Sequence, residues 1–202
     1  MSANEIISIV GGGASVRAID PARIPGTIIA INDAAIHLPR FDFVVSMDRL
    51  WTEYRYERLR LLARPAHIRR AALKNLPDRW PWLTSFECDY TTAVFSEQRG
   101  VLNGMNSGQC GFNLAWQLRP AQILLFGFDM QRAADGAAYW YPPYPWSEKG
   151  ATKNGKYADW ARQFERSAKQ CAAAGIDVAV VGDSAIKVFR KIPASDFAGV
   201  AA

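Results

Sequence analysis

The sequence predicts an α/β fold, namely a Rossmann-like, doubly wound, mainly parallel sheet with helices on both faces and a lid-like insertion. Short apolar runs lack the polar alternation of half-exposed strands, so both faces of these strands should be covered. Segments of helical periodicity separate the runs, as β–α–β crossovers require. The predicted strands are Ile6–Val10, Thr27–Ile31, Asp42–Ser46, Ile123–Phe126 and Asp177–Val181, with Ala66–Arg69 and Leu83–Phe86 as further candidates.

Length and composition indicate one domain. The chain has 202 residues and is 50% hydrophobic, which is enough for a single core. We therefore expect one domain over residues 1–202, with the lid-like insertion at about 131–156 and a frayed tail at about 194–202. Between them we expect a helix over 156–174, a last strand and a short helix starting at Gly182.

Cysteine and histidine usage argues against disulfides and zinc. Cys88, Cys110 and Cys171 are odd in number and far apart, which fits a reducing compartment. Cys88 has no evident basic neighbour and is expected to be a small core residue. Two histidines without a Cys-x-x-Cys pair predict no protein-built metal site. Because no signal peptide and no apolar run of roughly 20 residues is present, we expect a cytoplasmic protein without a membrane partner.

The segment 103–129 combines a loop, a helix, a turn and a buried strand. Ser107 is expected to cap the helix, whose N-terminal N–H groups favour an anion. The strand Ile123–Phe126 follows and leaves the carboxylate of Asp129 near its C-terminal end. Open α/β sheets bind ligands at that edge, so this unit predicts a site for an anionic ligand.

The first strand runs into Gly11-Gly-Gly-Ala-Ser15, a glycine turn before a short helix. Such a turn lets the backbone approach a phosphate, and the helix start supplies N–H groups. The pattern is neither a full dinucleotide fingerprint nor a P-loop. The alternative interpretation is a tight strand-to-helix turn without a ligand.

Polar residues also follow the second and third strands. Asn32 and Asp33 lie at the predicted ligand edge and could hold a ribose or base, or could cap the short helix that follows. Asp48 has the same two interpretations, because it precedes a helix expected from Arg49 to Ala63. In that helix Leu50, Tyr54 and Leu61 are expected to line one face opposite the arginines.

Positive charge is concentrated in residues 49–74, which hold eight of the 24 lysines and arginines and only two glutamates. A basic face of this kind predicts an acidic partner such as a nucleotide, a phosphate-bearing substrate or nucleic acid. The alternative is a solvated helix face. The arginines lack interleaved aromatics for base stacking, so specific nucleic-acid binding is not expected.

An aromatic segment, residues 139–146, contains three prolines and cannot be helical. Lysines and glycines follow it at Lys149, Gly150, Lys153, Gly155 and Lys156. We interpret the segment as a lid whose tyrosines enter the site when a ligand is present. The alternatives are a hydrophobic flap over the core or a contact between subunits of a homo-oligomer.

In this order, these residues resemble the MptE-like domain of bacterial, archaeal and phage proteins. The matching segments are Ile9–Asp20, Ala30–Asp33, Asn106–Gly108, Ile123–Asp129 and Asp183–Phe189. That group includes archaeal 6-hydroxymethylpterin diphosphokinase and is akin to the Campylobacter-type sialyltransferases of glycosyltransferase family 42. The resemblance implies that Gly11 to Ser15, Asn32 and Ser107 hold a nucleotide. Those sialyltransferases carry an asparagine in place of Gly12 and a lid histidine that this chain lacks.

Sequence and resemblance together predict a nucleotide-binding transferase acting on a phosphoryl or glycosyl-phosphate bond. A nucleotide or nucleotide-sugar is the expected partner, and a divalent metal ion could accompany it. The predicted nucleotide-binding residues are Gly11, Gly12, Gly13, Ala14, Ser15, Asn32, Asp33, Asp48, Asn106, Ser107 and Gly108. The predicted catalytic residues are Asp129, Tyr139, Tyr141 and Tyr144. The alternatives are a catalytically inactive nucleotide-binding protein and a nucleic-acid-binding accessory protein.

Overall fold

A computed structural model describes residues 5–76, 80–146 and 154–199. Its strands are β1 (Ile6–Val10), β2 (Thr27–Ile31), β3 (Phe43–Ser46), β4 (Ala66–Arg69), β5 (Leu83–Phe86), β6 (Gln122–Phe126), β7 (Asp177–Val181) and β8 (Arg190–Ile192). Its α-helices are α1 (Ala34–His37), α2 (Arg49–Leu62), α3 (Ser107–Gln117) and α4 (Asn154–Ala173). Single 3-10 turns cover Ala14–Ala18, Pro21–Arg23, Arg70–Leu73 and Ala194–Phe197.

The strands form one sheet in the order β5-β4-β3-β2-β1-β6-β7-β8, and each neighbouring pair is parallel. The prediction of a doubly wound, Rossmann-like parallel sheet is therefore confirmed. All five predicted strands are present within one residue of their expected bounds, and both candidate strands form β4 and β5.

Two buried clusters cover the two faces of the sheet, which explains why the strands do not alternate. On one face, Phe112 of α3 and Phe164 of α4 pack with inward side chains such as Ile7 and Ile9. On the other face, Trp51 of α2 packs with Val10 and its neighbours. Helices lie on both faces, as predicted.

The C-terminal region differs from the prediction. Gly182 has φ +86°, and the Ser184 hydroxyl donates to the Phe128 carbonyl, so a turn replaces the predicted short helix. A short polar edge strand, β8, follows it. The predicted frayed tail is wrong for residues 194–197, because they form a 3-10 turn whose Phe197 ring packs against Phe126. Residues 200–202 lie outside the described part of the chain.

The buried face of α2 is also not the predicted one. Leu50, Tyr54 and Leu61 are 46%, 50% and 70% exposed. The helix instead buries Trp51, Thr52, Tyr56 and Leu59. Both sets satisfy helical spacing, so periodicity alone could not choose between them.

A buried ion pair selects the face of α2 that meets the sheet. Asp33, only 1% exposed, follows β2 and accepts hydrogen bonds from Trp51 Nε1 at 2.8 Å and from Arg55 at 2.7 and 2.8 Å. The hydrogen bond with Asp33 raises the pKa of the Arg55 guanidinium. Asp33 therefore joins α2 to the end of β2, and its assignment as a nucleotide-binding residue stays a prediction.

No helix in the described part of the chain combines the length and the apolar character that crossing a membrane requires.

We predict that Asp33→Ala lowers the free energy of unfolding by about 3 kcal/mol, because it leaves Arg55 partly buried without its partner. Urea denaturation followed by circular dichroism measures the effect. Glu57→Ala on the same helix removes only an exposed partner of Arg60 and serves as the control, with little change expected. Equal losses in the two variants would contradict the structural role of Asp33.

Candidate functional site

A cleft of about 570 Å³ opens at the carboxyl ends of the central strands. Here β1 lies between β2 and β6, so the chain leaves β1 toward one side of the sheet and returns on the other. Open α/β sheets place ligands at such a reversal. Residues that line the cleft include Gly11, Gly12, Gly13, Asn32, Asp48, Asn106, Ser107, Gly108, Asp129, Tyr139, Tyr141 and Tyr144. The predicted loops thus meet at one place.

The glycine turn holds a carboxylate of the protein itself. Ser15 donates to Asp129 through its backbone N–H at 2.9 Å and through its hydroxyl at 2.5 Å, and the Ala14 N–H also contributes. A Cβ on Gly13 would lie 2.4 Å from Asp129 Oδ1, so only glycine leaves room for this contact. Ala14 and Ser15 therefore bind Asp129, and their assignment to a bound phosphate stays a prediction.

Asp129 is almost fully buried by this arrangement. Burial raises the pKa of its carboxyl group above the ordinary aspartate value, while the hydrogen bonds from Ser15 oppose the rise. The next residue, Met130, has φ +51°, a conformation that side chains other than asparagine and glycine rarely adopt. The contact with Ser15 therefore sits in a constrained loop.

The N-terminus of α3 is built differently from the prediction. Asn106, not Ser107, is the N-cap, and its side chain accepts from the Gln109 N–H at 3.0 Å. Ser107 begins the helix, and its hydroxyl accepts from the Met47 N–H at 3.0 Å, which leaves its own O–H available as a donor. The first N–H groups of the helix, at Ser107 and Gly108, have no acceptor within the helix.

Two amide side chains on the cleft have a buried polar atom without a hydrogen-bond partner. These atoms are Oδ1 of Asn32 and Nδ2 of Asn106. Asn32 also has φ +52°, in the left-handed region that asparagine tolerates better than most residues. Asp48, by contrast, caps α2 by accepting from the Trp51 N–H at 3.2 Å, which is the structural alternative considered above.

Arg69 also lines the cleft, although no sequence motif marks it as a site residue. It ends β4 at the same edge of the sheet, and its Nε is buried without a partner. Its guanidinium lies 5.9 Å from the Tyr90 ring centroid. The position of Arg69 at the end of a strand is the sequence signal that points to it, whereas charge alone does not separate it from the other arginines of residues 49–74.

The aromatic segment is already seated on the glycine turn. The Trp140 N–H donates to the Gly12 carbonyl at 3.1 Å, and its indole N–H donates to the Gly11 carbonyl at 3.0 Å. A Cβ on Gly12 would lie 2.7 Å from the Tyr141 hydroxyl. These contacts are within the protein, so the expectation that the tyrosines enter only with a ligand is wrong for Tyr141.

The three tyrosines of the segment share one apolar environment. Burial raises the pKa of Tyr139, Tyr141 and Tyr144, and the hydroxyls of the last two lie 3.2 Å apart. Phenols with a raised pKa keep their proton at neutral pH, so they can donate hydrogen bonds but cannot act as bases. Lys149 and Lys153 of the predicted lid lie outside the described residues, and Lys156 belongs to α4.

The cleft contains no metal site of its own among the described residues. No group of three histidine, cysteine or acidic side chains lies together there. The two carboxylates that line the cleft, Asp48 and Asp129, both accept hydrogen bonds from backbone N–H groups. A divalent ion would need phosphate oxygens of a ligand to complete its coordination.

We predict a pH-dependent stability difference between wild type and Asp129→Asn. The folded protein binds the Asp129 proton more tightly than the unfolded chain does, so this contribution is complete below about pH 3.9 and falls as pH rises through the raised pKa. The free energy of unfolding of wild type relative to the variant should therefore decrease over that range.

Asp135→Asn is the control for this measurement, because hydrogen bonds from the Ala137 N–H and from Arg17 lower the pKa of exposed Asp135. The free energy of unfolding of wild type relative to Asp135→Asn should therefore increase as pH rises through the pKa of Asp135. Urea titrations at a series of pH values measure both trends, and equal trends for the two variants would refute the buried state of Asp129.

Comparison with known proteins finds a solved structure of similar fold. No family model and no curated protein matches the sequence. Among solved structures, the chain is similar to the sialyltransferase CstII from Campylobacter jejuni, described in complex with a substrate analogue, CMP-3FNeuAc. The TM-score is 0.57 at 13% sequence identity, over 98% of this chain and 89% of that chain. The chain therefore shares the fold of a Campylobacter sialyltransferase, while the MptE-like assignment stays a prediction.

Proposed function

We propose that this protein binds a nucleotide or nucleotide-sugar in the cleft and transfers a group at its phosphoryl or glycosyl-phosphate bond. The observation that carries the proposal is the set of unpartnered polar atoms on Asn32, Asn106 and Arg69. A buried polar atom without a partner costs about 1–3 kcal/mol, so such atoms in one cleft favour a ligand that satisfies them.

The phosphate binds at the start of α3. Nδ2 of Asn106 and Nε of Arg69 are donors without a partner, and Ser107 and Gly108, whose N–H groups lack an acceptor within the helix, line the same cleft. The helix dipole adds about 0.3–1 kcal/mol for an anion at this position. This subsite replaces the one first expected at Ala14 and Ser15, where Asp129 already supplies the negative charge.

The nucleoside lies toward Asn32. Its Oδ1 is an acceptor and selects a ligand group with an O–H or N–H, as a ribose hydroxyl or an exocyclic base amine provides. Met47 and Met105 line the same cleft and supply apolar surface for a base. The fold of a sialyltransferase described with CMP-3FNeuAc supports a nucleotide-sugar as the ligand class.

The tyrosines act as donors to the leaving phosphate. Their raised pKa keeps them protonated, so Tyr139 and Tyr144 can stabilise charge that develops on a departing phosphate oxygen. Asp129 is a positioning residue in this scheme, because Ser15 holds its carboxylate within the turn.

The two alternatives are an inactive nucleotide-binding protein and a nucleic-acid-binding protein. An inactive protein would bind the nucleotide-sugar without cleaving it into nucleotide and sugar. Nucleic-acid binding by residues 49–74 is disfavoured because several of these arginines are paired, in Arg49–Glu53, Arg55–Asp33, Arg60–Glu57 and Arg70–Glu87. Such pairing reduces the charge available to phosphates.

We predict that Asn106→Asp weakens nucleotide binding at least about tenfold without unfolding the protein. Aspartate caps a helix as well as asparagine does, so the bond to the Gln109 N–H is kept. The Nδ2 donor, however, becomes a carboxylate oxygen that repels a phosphate. Calorimetry with cytidine, uridine, guanosine and adenosine nucleotides should show an affinity at least about tenfold weaker, as expected for a lost hydrogen bond to a charged group.

Arg69→Met should weaken the same interaction, and Arg70→Met is its matched control. Arg70 is the next residue in the chain but is exposed and paired with Glu87 outside the cleft. The proposal fails if wild type binds none of the nucleotides or nucleotide-sugars, or if Asn106→Asp binds them equally well.

A further inference from the structure

Two thiols face each other beside the cleft. Cys88 follows β5 and is half-buried, whereas Cys110 is buried in the first turns of α3. Their Sγ atoms lie 3.7 Å apart. A disulfide requires about 2.05 Å, so a shift of less than 2 Å along this line brings the two sulfurs into bonding distance.

The surroundings give the two thiols different roles. The hydrogen bond from Cys110 and the nearby charge of Arg69 lower the pKa of Cys88. The same hydrogen bond, together with burial, raises the pKa of Cys110. Cys88 is thus the accessible nucleophile and Cys110 the thiol that can resolve it. Arg69 is a basic neighbour of Cys88 that the sequence around Cys88 does not reveal.

The third cysteine has no such arrangement. Cys171 is buried on α4, and burial raises its pKa to about 12. In the described part of the chain no other sulfur lies in hydrogen-bond contact with it, whereas Cys110 contacts both Cys88 and, at 4.0 Å, Met47. Cys171 therefore serves as an internal reference for thiol reactivity.

We propose that Cys88 and Cys110 form a reversible disulfide in response to a peroxide. The Cys88 thiolate attacks one oxygen of hydrogen peroxide, the O–O bond breaks, and the departing hydroxide takes a proton to become water. The Cys110 sulfur then attacks the Cys88 sulfenic acid, the S–O bond breaks, and the Cys110 proton leaves with the hydroxide as a second water. Two thiols and one peroxide give one disulfide and two waters.

We further infer, on the basis of the proposed function, that the disulfide weakens nucleotide binding in the cleft. Cys110 lies one turn after Asn106, and its N–H donates to the Asn106 carbonyl at 3.1 Å. Drawing the two sulfurs together therefore pulls on the turn that carries the phosphate subsite. We expect the oxidised protein to bind nucleotide about fivefold more weakly, at the low end of coupling between sites.

The test is a thiol count on the full chain after treatment with hydrogen peroxide. Wild type should lose two of its three free thiols, and peptide mapping should show Cys88 joined to Cys110. A dithiol reductant should restore both thiols. Cys171→Ser should behave like wild type and lose the same pair, while Cys88→Ser should form no intramolecular disulfide.

Three retained thiols in wild type, a disulfide that includes Cys171, or dimers joined between chains would each overturn the proposal. Calorimetry on the reduced and oxidised forms tests the effect on the cleft, and equal affinities would overturn that coupling. If the reduced form binds no nucleotide, the proposed function fails, while the thiol count still decides whether the disulfide forms.

Discussion

The contact between Asp129 and Ser15 joins the two loops on which the cleft depends. β1 and β6 are neighbours where the strand order reverses, so the loops that follow them must share one edge of the sheet. The carboxylate fixes their relative position through two hydrogen bonds from Ser15. Gly12 then provides the surface on which Trp140 and Tyr141 rest.

This contact also determines where an external anion can bind. A glycine turn at the start of a Rossmann-like sheet ordinarily offers its N–H groups to a phosphate. Here Asp129 accepts from the N–H groups of Ala14 and Ser15, and the N–H groups of Gly11 and Gly13 donate to backbone carbonyls. The donors that we assign to the phosphate are therefore those at the start of α3 and on Arg69. The aromatic segment covers the turn, while Asn32 and the start of α3 line the same cleft. The proposed phosphate subsite follows from this division.

The sequence was sufficient to predict the sheet, because buried parallel strands lack polar alternation. It also predicted that the loops meet, because the carboxyl ends of parallel strands share one edge of the sheet. It was insufficient for individual partners. Ser15 and Asp129 are 114 residues apart, so the sequence around either residue gives no sign that the Asp129 carboxylate accepts the hydrogen bonds of the glycine turn. Asn106 and Ser107 are both good caps, and only the fold selects between them. The orientation of α2 depends on Asp33, which pairs with a residue 22 positions away.

The central claim, that this cleft takes a nucleotide, is tested most directly by titrating cytidine monophosphate into isotope-labelled protein while recording backbone amide NMR shifts. The account predicts saturable shifts confined to Asn32, Arg69 and residues 106–108, with the amide of Ser15 little affected because it remains bound to Asp129. The absence of saturable shifts, or shifts confined to the opposite end of the sheet around His67 and Leu114, would contradict it.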